Sequence, residues 1–119
     1  MFHITGDTET GPFEITKPPL LMQHGMGSNG TEWATDHALL GKTPMAFQFA
    51  RMGFDVYITN NSGVQYSMEN DMYTENDPEF WAMDWRKYGV YDVPAVVKVM
   101  RERNNGAKVA LVGHSQGTT

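Results

Sequence analysis

The residues best suited to chemistry lie at the end of the chain, where positions 113–117 read G-x-S-x-G. They directly follow residues 109–112, a continuous apolar run of the length of a buried strand. A serine at a sharp turn from strand to helix lies in strained backbone, and glycines two residues before and after it leave room for that turn. We therefore expect Ser115 to be a nucleophile, the alternative being a glycine-rich turn without a catalytic role. The residues expected to shape the turn are Gly113, His114 and Gly117.

A serine nucleophile that attacks a carbonyl needs N–H groups to hold the oxyanion that forms. The backbone N–H of Gln116, the residue after the serine, is the first candidate donor. The second donor comes from a loop after an earlier strand, and His24-Gly25-Met26 follows the first short apolar run of this chain. We expect the N–H of Met26 to be that donor, with His24 and Gly25 supporting the loop.

The same loop also fits a different kind of site. Gly25, Gly27 and Gly30 match G-x-G-x-x-G after a predicted strand, which is typical of dinucleotide binding. That site needs a helix that opens at the last glycine, and we expect none because residues 33–43 show no clean helical period. It also needs an acidic residue about 20 positions on, at the end of the next strand. This chain has Asn60 there, so dinucleotide binding is the weaker alternative.

No histidine follows Ser115 in this sequence to act as its general base. The histidines are His3, His24, His37 and His114, and all of them precede the serine. A G-x-S-x-G site takes its acid and its histidine from positions after the serine. We therefore expect none of the four to be the general base, and we expect His3 and His37 to be ordinary surface or packing residues.

Composition excludes several classes of function. The chain has 119 residues, no cysteine and a formal net charge of −5, so we expect one domain, no thiolate metal site and no nucleic-acid partner. No apolar run approaches the roughly 20 residues of a membrane-spanning helix, so we expect no transmembrane segment. Glu69, Asp71, Glu75 and Asp77 lack the spacing of a calcium loop and predict a solvated loop with no metal. The aromatic residues that follow are expected in the core; they are Phe80, Trp81 and Trp85.

The elements that position these residues alternate in type along the chain. Apolar or β-branched runs predict strands at residues 20–23, 54–58 and 108–112, the second of which alternates between apolar and polar residues. Helices are predicted between them, at residues 45–52 and 93–103. Strands joined by crossover helices form right-handed βαβ units, so the chain is expected to have an α/β fold with a parallel sheet.

Local signals define the two predicted helices. Pro44 suits the first turn of the first helix, and Gly53 suits its end. Asp92 is expected to cap the second helix, with Pro94 in its first turn. Each helix shows an apolar stripe at helical spacing; these stripes are Met45, Phe49 and Met52 in the first, and Val93, Val96, Val97 and Met100 in the second.

Five blocks of the sequence, taken together, resemble one family. They lie at residues 20–26, 52–57, 79–81, 91–95 and 113–119 and read LLMQHGM, MGFDVY, EFW, YDVPA and GHSQGTT. In this order they resemble the acid lipases of the α/β-hydrolase fold, the group that contains gastric lipase and lysosomal acid lipase. The ciliate members look nearest.

The resemblance implies a partial α/β-hydrolase fold, with a mostly parallel sheet and crossover helices. It implies a serine lipase or carboxylic ester hydrolase that cleaves triglyceride or steryl ester without a cofactor. In that reading Ser115 is the nucleophile and the N–H groups of Met26 and Gln116 form the oxyanion hole. It also implies that substrate is met at a lipid–water interface, and a secreted or lysosomal location.

Two departures from the family's pattern bear on function. Ser62 stands where the family usually carries an arginine in an N-S-R-G or N-N-R-G loop, which puts that arginine's contact in doubt. The family's cap, its later strands and the acid and histidine of its triad would follow Thr119. We therefore interpret residues 1–119 as the N-terminal part of one incomplete domain and expect this chain alone to be inactive. The alternative is a truncated product or an interaction module.

Overall fold

A four-stranded sheet organises the chain in the computed structural model, which describes residues 1–35 and 43–119. The strands are, in chain order, β1 (Phe2–Ile4), β2 (Gly6–Asp7), β3 (Gly11–Pro12), β4 (Pro19–Gln23), β5 (Asp55–Ile58) and β6 (Ala110–Gly113). The main sheet has the order β1-β5-β4-β6, with β4 parallel to both β5 and β6. The three predicted strands and their parallel arrangement are therefore confirmed.

Register brings the carboxyl ends of the three parallel strands to one edge of the sheet. Leu20 of β4 lies beside Val56 of β5 and Ala110 of β6. Because the strands run in the same direction, the loops that follow them leave the sheet at the same edge. These loops begin at residues 24, 59 and 114, and they carry the residues singled out for chemistry.

Strands β4 and β5 are covered on both faces by separate clusters of apolar side chains, whereas Leu111 of β6 is about half exposed. One cluster joins Leu20, Met22, Val56 and Ile58 to residues of the helices before β5. The other joins Leu21 and Tyr57 to Met100 and its neighbouring valines on the helix before β6; these are Val93, Val96 and Val97. The predicted stripe of that second helix is confirmed.

Strand β5 is buried along its whole length, although its residues alternate between apolar and polar types. The polar residue Asp55 is accommodated because it accepts hydrogen bonds. His3 Nε2 lies 2.6 Å from one carboxylate oxygen, and Asn104 Nδ2 donates to the other at 2.9 Å. A buried carboxylate needs such partners, since an unpaired one costs several kcal/mol.

The first two helices lie between β4 and β5. They are α1 (Thr31–Ala34) and α2 (Met45–Arg51), and Gly53, whose φ is +95°, follows Met52, the C-cap of α2. Of the predicted apolar face of α2, Phe49 packs against the first apolar cluster, but Met45 and Met52 are about half exposed, so their placement on that face was wrong. The helix instead buries Ala46 and Ala50, whose small side chains fit within the first apolar cluster.

The helical segment before β6 begins earlier than the sequence predicts. It comprises α3 (Trp85–Lys87), a π-helical turn (Tyr88–Asp92) and α4 (Val93–Arg103). Asp92 was predicted to cap α4, and this was wrong, since Asp92 has helical backbone angles and makes no capping hydrogen bond. The cap is Asp84, whose carboxylate accepts the N–H groups of Arg86 and Lys87.

The N-terminal residues form more structure than a connecting loop. Strand β1 pairs antiparallel with β5, and β2 pairs antiparallel with β3 in a separate hairpin. Arg51 at the end of α2 bonds Asp7 and Glu9 of this hairpin. These short strands gave no periodic signal in the sequence.

The aromatic and acidic residues before α3 divide between core and surface. Phe80 is buried as expected, but Trp81 and Trp85 are each about half exposed, so placing them in the core was wrong. The acidic residues around 69–75 are exposed. Within the described parts of the chain, no helix is both long enough and apolar enough to cross a bilayer.

Candidate active site

Ser115 occupies a strained backbone position at the end of β6. Its φ is +52°, in the left-handed region that residues with a side chain rarely adopt. It is exposed and begins a short 3₁₀ turn (Ser115–Thr118) that is closed by a hydrogen bond from the Gly117 N–H to the His114 carbonyl oxygen at 2.8 Å. A strained residue persists only where the surrounding structure holds it in place, and such residues are common at functional sites.

The glycines around Ser115 are required by close packing. A Cβ on Gly113 would overlap the carbonyl group of Gly117, and a Cβ on Gly117 would overlap the carbonyl oxygen of Gln23 in β4. A Cβ on Gly25 would lie 3.2 Å from the Cβ of Ser115. The turn after β6 therefore packs directly against the chain leaving β4.

Met26 and Gln116 line one cavity of about 300 Å³ beside this turn. Among the described residues, no acceptor takes a hydrogen bond from either backbone N–H. The rest of the wall includes Trp85 and Tyr88 of the helical segment. A larger cleft, of about 960 Å³, lies near the β2–β3 hairpin and includes none of the candidate residues.

Tyr88 is protonated at neutral pH. Its burial raises the pKa of its phenol, and the negative charges of Asp92 and Asp84 raise it further.

His24 is buried and has both ring nitrogens occupied by backbone groups. The Asn61 N–H donates to Nε2 at 3.0 Å, so the proton of the neutral ring is on Nδ1. Nδ1 lies 2.8 Å from the Gly25 carbonyl oxygen and donates to it. The His24 ring therefore links the loop after β5 to the loop after β4, and neither of its nitrogens is free to take a proton from Ser115.

A buried network of amide side chains ties the same two loops together. Thr59 Oγ1 donates to Gln23 Oε1, and Gln23 Nε2 donates to Asn61 Oδ1, each at 2.6 Å. Asn60 Oδ1 accepts from the Gly30 N–H at 2.8 Å. The sequence indicated only a polar loop at residues 59–63. Thr59, Asn60 and Asn61 are buried because the loops after β4, β5 and β6 pack together at one edge of the sheet.

His114 points to the other side of the turn. Its Nδ1 lies 3.4 Å from Glu32 Oε2, while Glu32 Oε1 accepts the Gly25 N–H at 3.3 Å. The ring also meets Trp33 edge to face. Glu32 therefore contacts both loops, a role that its place after the glycine-rich loop did not predict.

No histidine among the described residues is placed as a base for Ser115. The His24 ring nitrogens contact backbone groups, and His114 faces Glu32. His3 forms a hydrogen bond with Asp55, the first residue of β5, at the opposite end of that strand from the candidate site. His37 lies outside the described residues. Within the same residues, no group of three or more potential ligand side chains could hold a metal ion.

Comparison of the sequence with protein families identifies one fold. The family model described as the alpha/beta hydrolase fold matches residues 18–119. The chain belongs to the alpha/beta hydrolase family. The mixed, mostly parallel sheet and its crossover helices are those of an α/β-hydrolase domain.

Several curated lipases are similar to this hydrolase-fold chain. A gastric triacylglycerol lipase of Bos taurus is 34% identical over 103 residues, which are 87% of this chain and 25% of that protein. The human lysosomal acid lipase/cholesteryl ester hydrolase is 33% identical with the same coverage. Triacylglycerol lipase 1 of Arabidopsis thaliana is 35% identical over 91% of this chain and 26% of its own length. The chain thus spans about a quarter of these relatives, and the resemblance to gastric and lysosomal acid lipases is confirmed.

In this hydrolase-fold chain two glycines of the G-x-G-x-x-G loop, Gly25 and Gly30, are closely packed, while Gly27 has a φ of +71° and open space around it. A short helix, α1, does begin after Gly30, so the expectation of no helix there was wrong. A Cβ on Gly30 would overlap the Ile58 side chain and the Thr59 carbonyl oxygen. Because the Gly30 N–H already donates to Asn60, the geometry does not favour phosphate binding at this loop.

Ser62, in the loop after β5, contacts the helical segment of this hydrolase-fold chain. Its N–H donates to Asp92 Oδ2 at 2.7 Å, and its hydroxyl donates to Asp92 Oδ1 at 2.9 Å. The loop after β5 is therefore held to the helical segment by a neutral donor and a carboxylate.

Proposed function

We propose that this chain carries the nucleophile and the oxyanion hole of a serine ester hydrolase that acts on lipid esters. The observation that supports it best is the left-handed backbone of Ser115, held between two glycines that admit no side chain. Met26 and Gln116, whose N–H groups are the candidate donors, line one cavity, and Gln116 directly follows Ser115 in the same turn. This arrangement suits the two-step acyl transfer of a serine hydrolase.

In this proposal Ser115 Oγ attacks the ester carbonyl carbon while a base takes its proton. The Met26 and Gln116 N–H groups hold the negative oxygen that develops. The carbon–oxygen bond to the alcohol then breaks, and the alcohol leaves with the proton. Water attacks the resulting acyl-serine, and the same proton transfers release the fatty acid and restore the serine.

The base in this mechanism is assigned to a histidine outside this chain. The three histidines of the described residues are engaged with Asp55, with backbone groups or with Glu32. Hydrolases with G-x-S-x-G take their histidine from a later position than the serine. This chain spans about a quarter of its relatives, and such a histidine would lie in the part of those proteins that the chain does not match.

The substrate class follows from the relatives. Two are named as triacylglycerol lipases and one as a cholesteryl ester hydrolase. We therefore propose esters of fatty acids as substrates, met at a lipid–water interface. A secreted or lysosomal location fits the gastric and lysosomal relatives.

The test is ester hydrolysis by the longest natural protein that contains this sequence. We expect p-nitrophenyl butyrate and an emulsified triglyceride to be hydrolysed, and Ser115→Ala to lower the rate by at least about 10³-fold. Ser67→Ala is the matched control, because Ser67 does not line the cavity and its hydrogen bonds within the described residues are made by its backbone, which the substitution keeps. Equal activity of Ser115→Ala and the unaltered protein would contradict the proposal.

The 119-residue chain by itself is expected to show no hydrolysis that depends on Ser115. A serine hydroxyl without a base keeps its proton at neutral pH. The same assay on the isolated chain and on its Ser115→Ala variant measures this. A rate that Ser115→Ala abolishes would show that a residue within the chain serves as the base.

A further inference from the structure

A series of hydrogen bonds joins Asp92, on the helical segment, to the loop that carries the candidate oxyanion donor. Asp92 accepts the N–H and the hydroxyl of Ser62. Asn61, the residue before Ser62, donates its N–H to His24 Nε2 at 3.0 Å. The His24 ring in turn donates to the Gly25 carbonyl oxygen at 2.8 Å.

The last bond of this series, together with a weaker one at 3.3 Å from the Ser28 N–H to the same Gly25 carbonyl oxygen, sets the direction of the Met26 N–H. A peptide group is planar and trans, so its carbonyl oxygen and its N–H point in opposite directions. The Gly25 carbonyl and the Met26 N–H belong to the same peptide group. Holding that carbonyl against His24 therefore turns the Met26 N–H away from His24 and leaves it free for another acceptor.

Asp92 forms the first contact of this series. It ends the π-helical turn between α3 and α4, and such turns are frequent at functional sites. Among the described residues its carboxylate forms no ion pair, and only Ser62 donates to it. Both carboxylate oxygens are thus committed to the loop after β5.

We propose that Asp92 and Ser62 are positioning residues for the oxyanion hole, acting through Asn61 and His24 on the Met26 N–H. The inference rests on the proposed function and adds to it a control point on the helix before the nucleophile strand. Gln23 also holds Asn61, through its side-chain amide. Loss of the Asp92 contact therefore loosens the donor without releasing it.

The kinetic test uses Asp92→Asn and Ser62→Ala in the longest natural protein that contains this chain, assayed with p-nitrophenyl butyrate. Complete loss of an oxyanion donor costs about 10²- to 10³-fold in kcat, so a misaligned donor is expected to cost about 10-fold. KM is expected to stay within about twofold, because the donor acts on the transition state. Ser62→Thr, which keeps the hydroxyl, is expected to retain most of kcat.

The matched control is Asp77→Asn in the exposed acidic loop. Asp77 also accepts the N–H and the hydroxyl of one residue, Thr74, at 2.7 and 2.8 Å. This variant removes the same kind of contact away from the candidate site. Its kcat and KM are expected to match those of the unaltered protein.

A second measurement, on the 119-residue chain itself, does not depend on catalysis. Amide hydrogen exchange at Asn61, followed by NMR, is expected to be about 10-fold faster in Asp92→Asn than in the unaltered chain or in Asp77→Asn. Unchanged exchange at Asn61 would contradict the proposed link, whatever the kinetics show.

The two proposals fail in different ways. If Ser115→Ala keeps full activity, the proposed hydrolase mechanism is wrong. If Ser115→Ala is inactive while both the Asp92 and the Ser62 variants keep the original kcat, only the positioning role is wrong. A fall in kcat matched by a rise in KM and a lower melting temperature would likewise contradict positioning, because it indicates general loss of structure.

Discussion

Ser115 owes its position to residues that have no side chain. Its left-handed φ of +52° persists because β6, the 3₁₀ turn and the chain leaving β4 pack closely around it. Gly117 makes one of the closest of these approaches, since it lies against backbone atoms of Gln23 and His24. Backbone atoms cannot move aside as a flexible side chain can, so this position should tolerate no methyl group.

Replacing Gly117 with alanine tests that packing. We expect Gly117→Ala to lower the free energy of unfolding by about 1–3 kcal/mol, the usual cost of overpacking. Denaturant unfolding of the chain measures it. Gly89→Ala is the control, because a Cβ there meets no atom within 4 Å and the residue is exposed in the helical segment. Equal destabilisation by both changes would contradict the packing argument.

At the scale of elements, β5 connects the two ends of the described chain. Its first residue, Asp55, bonds His3 on β1 and Asn104 at the end of α4. Burial tends to raise the pKa of this carboxyl, but the hydrogen bonds from Asn104 and His3 outweigh it, and the pKa lies below its ordinary value of 3.8. The carboxylate therefore joins three elements as long as it is ionised.

This contact predicts a dependence of stability on pH. A lowered pKa in the folded chain contributes stability that is complete above pH 3.8 and is lost as pH falls through the lower folded pKa. We expect Asp55→Asn to be less stable than the unaltered chain by about 1–3 kcal/mol at neutral pH. The difference should shrink below pH 3.8. Unfolding curves at several pH values measure it, with exposed Asp71→Asn as control, and a difference independent of pH would contradict it.

The sequence predicted the elements whose signals are local. The apolar runs of β4 and β6 and the valine stripe of α4 are each contained in a few neighbouring residues, and all three were found. Strand β1 was missed because three residues carry no period and its partner, β5, lies about fifty residues away. The cap at Asp92 was wrong because the carboxylate bonds Ser62 instead, a contact between distant parts of the chain.

The candidate site divides in the same way. The turn at Ser115 could be predicted because strand and glycines occur within nine consecutive residues. The network that supports Met26 could not, because it joins Gln23, His24, Asn61 and Asp92 from three separate segments. No single segment contains a pattern that reports such a contact.

For the molecule as a whole, the chain belongs to the alpha/beta hydrolase family and spans about a quarter of its lipase relatives. Its three parallel strands bring the candidate nucleophile and both candidate donors to one edge of the sheet. The proposed base is a histidine that does not lie among the described residues. The central claim is that Ser115 is the residue acylated by substrate.

Covalent labelling tests that claim most directly. The longest natural protein that contains this sequence is treated with a lipid-like fluorophosphonate, digested, and analysed by mass spectrometry. We predict one phosphonylated residue, Ser115, on a peptide that contains residues 113–117, and no labelling of the Ser115→Ala variant. A label on another serine, or equal labelling of the Ser115→Ala variant, would contradict the account.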